Sequence, residues 1–256
     1  MTTSPDVEYL LHLGDNAIIH AQRLSEWCGH GPALEEDIAM SNIALDCVGR
    51  ARLLYTLAGT REGAGRDEDA IAYLRDEAQF RNYTLLELPN GESAHDDYAT
   101  TIVRGMLHSA LEVHLWPALA ACADEELAAI AARCVNEAHA HLRHFGQWVV
   151  RLGDGTEISH ERAAAALDRL FVYTNEFWSD SPVESNLAAA QRGVEVSGLR
   201  PAWESTVGEI LAAASLPAPK PSGFVSTGKF GRHSEHLGPM LAEMQSLARA
   251  HPGATW

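Results

Sequence analysis

The sequence predicts an all-α fold: a ferritin-like bundle of four long helices with additional peripheral helices. Alanine and leucine, which favour helices, are abundant in a chain that is 46% hydrophobic. Alternating runs of valine and isoleucine, which would indicate strands, are nearly absent. Four long segments carry apolar residues at helical spacing, with short turns between most of them. Together these observations favour helix packed on helix.

The first half of the chain contains two of the long helical patterns. The first covers residues 7–28, and Gly29 and Pro32 end it. The second covers residues 34–57, after which a polar, glycine-rich loop follows. A further helix is predicted over residues 67–88, where a Pro-Asn-Gly turn closes it. We expect this further helix to form part of the connection between the second and third long helices.

The second half contains the other two long patterns and three shorter ones. We predict helices over residues 97–123, 125–152, 159–178, 200–214 and 234–250. Residues 215–233, rich in proline, glycine and serine, are predicted to be irregular. Since no internal repeat interrupts the pattern, residues 1–256 are predicted to form a single domain.

Charge and cysteine usage narrow the function classes. Nineteen basic residues against 35 acidic ones give a formal charge of −16, which disfavours nucleic acid and anionic lipid as partners. No stretch reaches the roughly 18 apolar residues that span a membrane, and the N-terminus lacks a secretory leader pattern. The four cysteines form no CxxC pair and lie in helical patterns, which fits a reducing compartment. We expect a cytoplasmic protein.

Two helices carry incomplete versions of a metal-binding motif. The ferritin-like di-iron pattern takes one Glu from each of two helices and a Glu-x-x-His pair from each of the other two. On the second long helix Asp46 is followed three residues later by Gly49, which has no side chain. On the fourth, Glu137 has His141 four residues on instead of three, and Ala138 lacks the carboxylate that would complete a motif with His141. The sequence therefore predicts no functional di-iron centre.

Several polar residues nevertheless fall on apolar stripes. If His20, Asp46, His108 and His141 all face the interior of a bundle, they could hold a single zinc or iron ion. The alternative is that they hydrogen-bond to one another in the core, with Arg50 available one turn from Asp46 to pair with its charge. Both interpretations remain open, and the first corresponds to a stand-alone ferritin-like metalloenzyme with a mononuclear or atypical site.

A short basic segment at residues 226–233 stands out in this acidic chain. Lys229 and Arg232 could contact an anion, such as the phosphates of coenzyme A, ahead of a helix that begins near Ser234. The segment lacks the full phosphate-loop pattern. The alternative is a loop that only caps the following helix.

Several blocks of the sequence resemble the C subunits of phenylacetyl-CoA epoxidase, and they span nearly the whole chain. They are LGDN at 13–16, QRLSEWCGH at 22–30, DIAMSNIALD at 37–46, RDE at 75–77, LPNG at 88–91, EHLGPMLAEMQ at 235–245 and the final Trp256. The block at 235–245 is the most specific of them.

This resemblance implies a function that the residues alone do not encode. The family's complex epoxidises the aromatic ring of phenylacetyl-CoA, with oxygen and with electrons from an iron–sulfur flavoprotein reductase. A catalytic subunit of ferritin-like fold holds the di-iron centre. The C subunit shares that fold, pairs with the catalytic subunit and is structural, and a small bridging subunit links the pairs. By resemblance this chain binds no cofactor itself.

The resemblance also assigns positions to the eroded motifs. Asp46 falls on a Glu position of the catalytic pattern and Gly49 on its His. Ala138 falls on the second motif's Glu, and His141 keeps the His. His20 and His108 stand where the remaining carboxylates would be.

Overall fold

The computed structural model describes residues 4–91 and 97–254, and all of its regular secondary structure is helical. This confirms the all-α prediction. The chain forms two compact units, one made of residues up to Leu88 together with those from Ser226 onward, and one made of residues from Pro89 to Val225. The prediction of a single domain stays a prediction. Trp256, part of the resemblance, lies outside the described residues.

The first unit is built on a hairpin of two long helices, α1 (Pro5–Ser25) and α2 (Leu34–Glu62). Ser4 caps α1 by accepting a hydrogen bond from the backbone N–H of Val7, and Gly63 ends α2 in the left-handed conformation, with φ 66°. Gly14 is needed where the helices meet, since a Cβ atom there would lie 2.5 Å from the ring of Tyr55. The hairpin therefore packs closely at this point.

The predicted helix over residues 67–88 is wrong. The structure breaks it into α3 (Glu68–Tyr73), a 3-10 turn (Glu77–Gln79) and the short α4 (Thr84–Glu87). The backbone N–H of Arg81 donates to the Asp15 carboxylate at 2.7 Å, and that of Tyr83 donates to the side-chain oxygen of Asn16 at 2.7 Å. Because side chains of α1 accept these hydrogen bonds, the backbone here need not be helical.

The C-terminal part of the chain completes the first unit. Residues 226–236 are irregular apart from a 3-10 turn at Gly228–Phe230, and α10 (Leu237–Ala250) follows. Gln245 on α10 donates from its side-chain amide to the backbone oxygens of Ala72 at 3.1 Å and Arg75 at 3.0 Å. This buried amide attaches α10 to the segment around α3.

The second unit is built on a hairpin of the long helices α5 (Tyr98–Ala120) and α6 (Glu125–Gly153). Its other helices are α7 (Glu157–Phe171), α8 (Pro182–Ala189) and α9 (Arg200–Ala213), with 3-10 turns at Val172–Trp178 and Val196–Leu199. The predicted helix over 159–178 thus ends in a 3-10 turn, and α8 was not predicted. The sequence feature that indicates the start of α8 is a capping box between Ser181 and Glu184.

Within the described residues, no helix is both long and apolar enough to cross a bilayer.

Candidate functional site

The first candidate motif, on α2, does not lie where the sequence predicted. Asp46 is exposed, and so is Gly49, whereas the neighbouring Cys47 and Arg50 are buried. Successive helix positions differ by about 100°, so an error of one residue turns a predicted inward side chain toward solvent. The placement of Asp46 on an inward stripe is therefore wrong, and a thiol and a guanidinium occupy the buried i, i+3 positions of this helix.

The second candidate motif, on α6, lies on a buried stripe but lacks its carboxylate. Ala138 and His141 are buried three residues apart, which places them on one face of the helix. Glu137 is half-buried beside them. The position that a Glu-x-x-His pair needs is thus filled by a methyl group.

The remaining candidates are buried histidines, one in each unit. His20 on α1 and His108 on α5 are both almost fully buried. One turn beyond His108, the carboxylate of Glu112 accepts a hydrogen bond from the indole N–H of Trp116 at 3.3 Å. Glu112 thus has a hydrogen-bond partner on the next turn of its own helix.

These residues do not fit a di-iron centre. Such a centre needs carboxylates to neutralise two cations, and the buried positions of α2 and α6 offer a guanidinium and a methyl group instead. In the described part of the chain, no three His, Cys, Asp or Glu side chains are grouped so that they could hold a metal ion. The two positions that the ferritin-like pattern needs on α2 and α6 therefore lack its carboxylates.

The first unit contains a buried ion pair that sequence reasoning missed. Asp15 and Arg75 are both almost fully buried and form a salt bridge. The same carboxylate accepts hydrogen bonds from the hydroxyl of Tyr55 at 2.6 Å and from the backbone N–H of Arg81 at 2.7 Å. Burial, together with the charge of Asp15, raises the pKa of Tyr55 well above its usual value, so the hydroxyl stays a donor. The signal in the sequence was one aspartate in the middle of an apolar helix.

A second buried pair joins the irregular C-terminal segment to α4. The Glu87 carboxylate accepts hydrogen bonds from His233 Nδ1 at 2.7 Å, from the side-chain amide of Asn82 at 2.9 Å and from the backbone N–H of Ser234 at 2.6 Å. His233 Nε2 lies 3.0 Å from the backbone oxygen of Phe80. Burial lowers the pKa of His233, but Glu87 and the Phe80 oxygen outweigh it, so the pKa is raised overall. Both ring nitrogens face acceptors, which suits the charged imidazolium.

These contacts give a structural role to residues in several of the sequence blocks that resemble the epoxidase C subunits. Asp15, in the block at 13–16, pairs with Arg75, in the block at 75–77. In the block at 88–91, Asn90 accepts hydrogen bonds from Thr101 and Arg104 within the second unit. The recognisable residues of these blocks thus make buried polar contacts inside the units.

The two cations of the basic segment at residues 226–233 differ in how far they are buried. Lys229 is buried, and its ammonium lies over the rings of Tyr83 at 5.5 Å and Phe230 at 5.8 Å. Arg232 is exposed. The two cations therefore do not form one exposed surface, and the hypothesis of a coenzyme A contact stays a prediction.

Comparisons with known proteins agree with the resemblance. A family model described as "Phenylacetic acid catabolic protein" matches residues 1–256. The chain is 42% identical over 248 residues to the C subunit of 1,2-phenylacetyl-CoA epoxidase from Escherichia coli (strain K12), and the match covers 97% of this chain and 98% of that protein. The chain thus belongs to the phenylacetic acid catabolic protein family.

Proposed function

We propose that this chain is a structural, non-catalytic subunit of a multicomponent phenylacetyl-CoA epoxidase that acts in phenylacetate catabolism. The observation that carries the proposal is the 42% identity, over almost the full length of both chains, to the C subunit of that enzyme in Escherichia coli. Because the match extends over almost the whole of both chains, the relative supports a shared role as well as a shared fold.

The chemistry of the buried positions supports a role without catalysis. An epoxidase that uses oxygen needs a redox metal or another cofactor, and the two eroded motifs here have Gly49 in place of a histidine and Ala138 in place of a glutamate. Asp46, the carboxylate of the first motif, faces solvent. Redox chemistry in the complex is then the task of another subunit, which holds the di-iron centre.

The buried polar pairs support a rigid scaffold. Asp15 with Arg75, and Glu87 with His233, each join segments far apart in the sequence. Pairs of this kind are costly to break, so they fix one arrangement of the backbone around them. In the proposed complex this chain binds the catalytic subunit, with the small bridging subunit and the reductase completing the assembly.

Co-expression with the di-iron subunit tests the proposal. We expect the two chains to elute together in size-exclusion chromatography with light scattering at micromolar concentration. Iron, measured by elemental analysis, is expected in the di-iron subunit, with well under one iron per chain when this subunit is purified alone. Epoxidation of phenylacetyl-CoA, followed by mass spectrometry of the product, is expected to require both chains and the reductase.

Two results would contradict the proposal. The first is stoichiometric iron in the isolated chain together with epoxidation in the absence of the di-iron subunit. The second is failure of the two chains to associate. Omission of the reductase from the full mixture is the control that separates turnover from background oxidation.

A further inference from the structure

The α2 helix exposes an aliphatic face of its own. Leu34, Ile38, Leu45 and Val48 are 73, 51, 67 and 40% exposed, although all four are large and apolar. At about 100° per residue these positions fall within roughly 80° of one another, and at about 1.5 Å per residue they extend over about 21 Å. We call these four residues, with Gly49, the outer α2 face. An apolar stripe of this length open to solvent is typical of an interaction surface.

Gly49 gives this face room for close approach. A Cβ atom at Gly49 would meet nothing within 4 Å, so the glycine is not required by packing inside the chain. Glycine in the middle of a helix is unfavourable by itself, because it loses more conformational freedom than alanine. A glycine that does not serve the chain's own packing, beside an aliphatic stripe, suits a second helix whose backbone lies close to α2.

The charges around the face indicate the kind of partner. Glu35 and Asp46 are exposed beside the stripe, and Arg52, an exposed cation of the same helix, forms a salt bridge of 3.1 Å with Glu68. The chain as a whole carries −16, so a second copy would bring two strongly negative surfaces together. A different chain with Lys or Arg beside its own aliphatic stripe is complementary to this face in both respects.

We propose that the outer α2 face is the surface through which this chain binds the catalytic subunit, by packing against one of that subunit's helices. The partner helix presents aliphatic side chains to Leu34, Ile38 and Leu45 and basic side chains to Glu35. This inference rests on the proposed function, since it names the surface used by the subunit pair. It also accounts for the exposure of four large aliphatic side chains along one side of a single helix.

Binding measurements with the purified catalytic subunit test the surface. We expect Leu45→Glu to weaken binding by about 30-fold or more, as at a central residue of an interface. Gly49→Leu adds a side chain into open space within this chain, so it keeps the fold and is expected to weaken binding by blocking close approach. Ile158→Glu, at a residue of α7 that is 65% exposed, is the matched control and is expected to leave the dissociation constant within about threefold. Circular dichroism and thermal melting establish that each variant is folded.

The possible results are distinguishable. If the wild-type chain binds and both α2 variants bind equally well, the surface is wrong and the proposed function stands. If the wild-type chain does not bind the catalytic subunit at micromolar concentration, the proposed function itself fails, and the surface with it. If light scattering shows that the isolated chain is a dimer that Leu45→Glu dissociates, the occupant is a second copy, which overturns the inference.

Discussion

Replacement of His233 by alanine removes the histidine that joins the C-terminal segment to α4. In the wild type, Glu87 is fully buried and accepts from His233, Asn82 and the backbone N–H of Ser234. The variant keeps the last two donors but leaves a buried carboxylate without its cationic partner. Breaking a buried pair on one side costs about 3–5 kcal/mol. Because two donors remain, we expect a loss at the lower end, about 3 kcal/mol of unfolding free energy.

The pH dependence of this loss has a definite sign. The folded-state pKa of His233 is raised above the value of about 6.5 expected in the unfolded chain. Its stabilisation is therefore complete below about pH 6.5 and decreases as the pH rises through the folded-state pKa. The difference in stability between wild type and variant should be larger at about pH 6 than at about pH 9.

Urea unfolding followed by circular dichroism at the two pH values measures the difference in free energy. Hydrogen exchange of peptides covering residues 226–236 supplies a local measure of the same loss, and exchange there should rise first. The control is His236→Ala, whose partly exposed ring lies 3.8 Å from Glu235 and should contribute less than about 0.5 kcal/mol. A loss below about 1 kcal/mol, or one that grows with pH, would refute the reasoning.

Four further substitutions give contrasting results. Gly105→Ala would place a Cβ atom 2.5 Å from the buried ring of Phe145, so we expect chemical denaturation to show a loss of about 1–3 kcal/mol in unfolding free energy. Gly49→Ala, where a Cβ atom meets nothing within 4 Å, should instead raise the unfolding free energy by about 0.5–1 kcal/mol. Equal effects of the two substitutions would contradict the packing argument. Asp15→Asn leaves a buried guanidinium with a neutral partner and should lower the unfolding free energy by about 3–5 kcal/mol in the same assay. A loss below about 1 kcal/mol would contradict this expectation. His141→Ala should leave the epoxidation rate of the assembled complex mostly intact, and a lost rate with unchanged assembly in size-exclusion chromatography would assign His141 a catalytic role.

The long helices could be predicted because strong local signals bound them. The α6 helix was predicted over residues 125–152 and is observed at Glu125–Gly153, since Asp124 caps its start and its apolar stripe has one clear phase. The segment over residues 67–88 could not be predicted. Its helical pattern is overridden by the Asp15 and Asn16 side chains, which accept backbone hydrogen bonds across more than 60 positions of sequence. A prediction that uses only neighbouring residues cannot detect hydrogen bonds between segments so far apart in the sequence.

The candidate site was harder to predict because α2 is apolar on two faces. Its inward side buries residues such as Met40 and Leu54, and its outer face carries Leu45 and Val48. A helix with two apolar sides has a weak amphipathic phase, so periodicity could not decide whether Asp46 or Cys47 points inward. The missing information was the outer face itself, which becomes visible only when the exposed area of each residue is known.

The make-up of the first unit has a consequence for how the chain folds during synthesis. Helices α1 to α4 are completed by residues from Ser226 onward, which supply α10 and His233. About two thirds of the chain follows Leu88, and at about 5–20 residues per second its translation takes on the order of 10–30 s. Throughout that interval Glu87 and the apolar surface around Ile71 and Phe80 lack the segment that completes the unit. We therefore expect the first unit to reach its complete fold only after the residues from Ser226 onward have been translated.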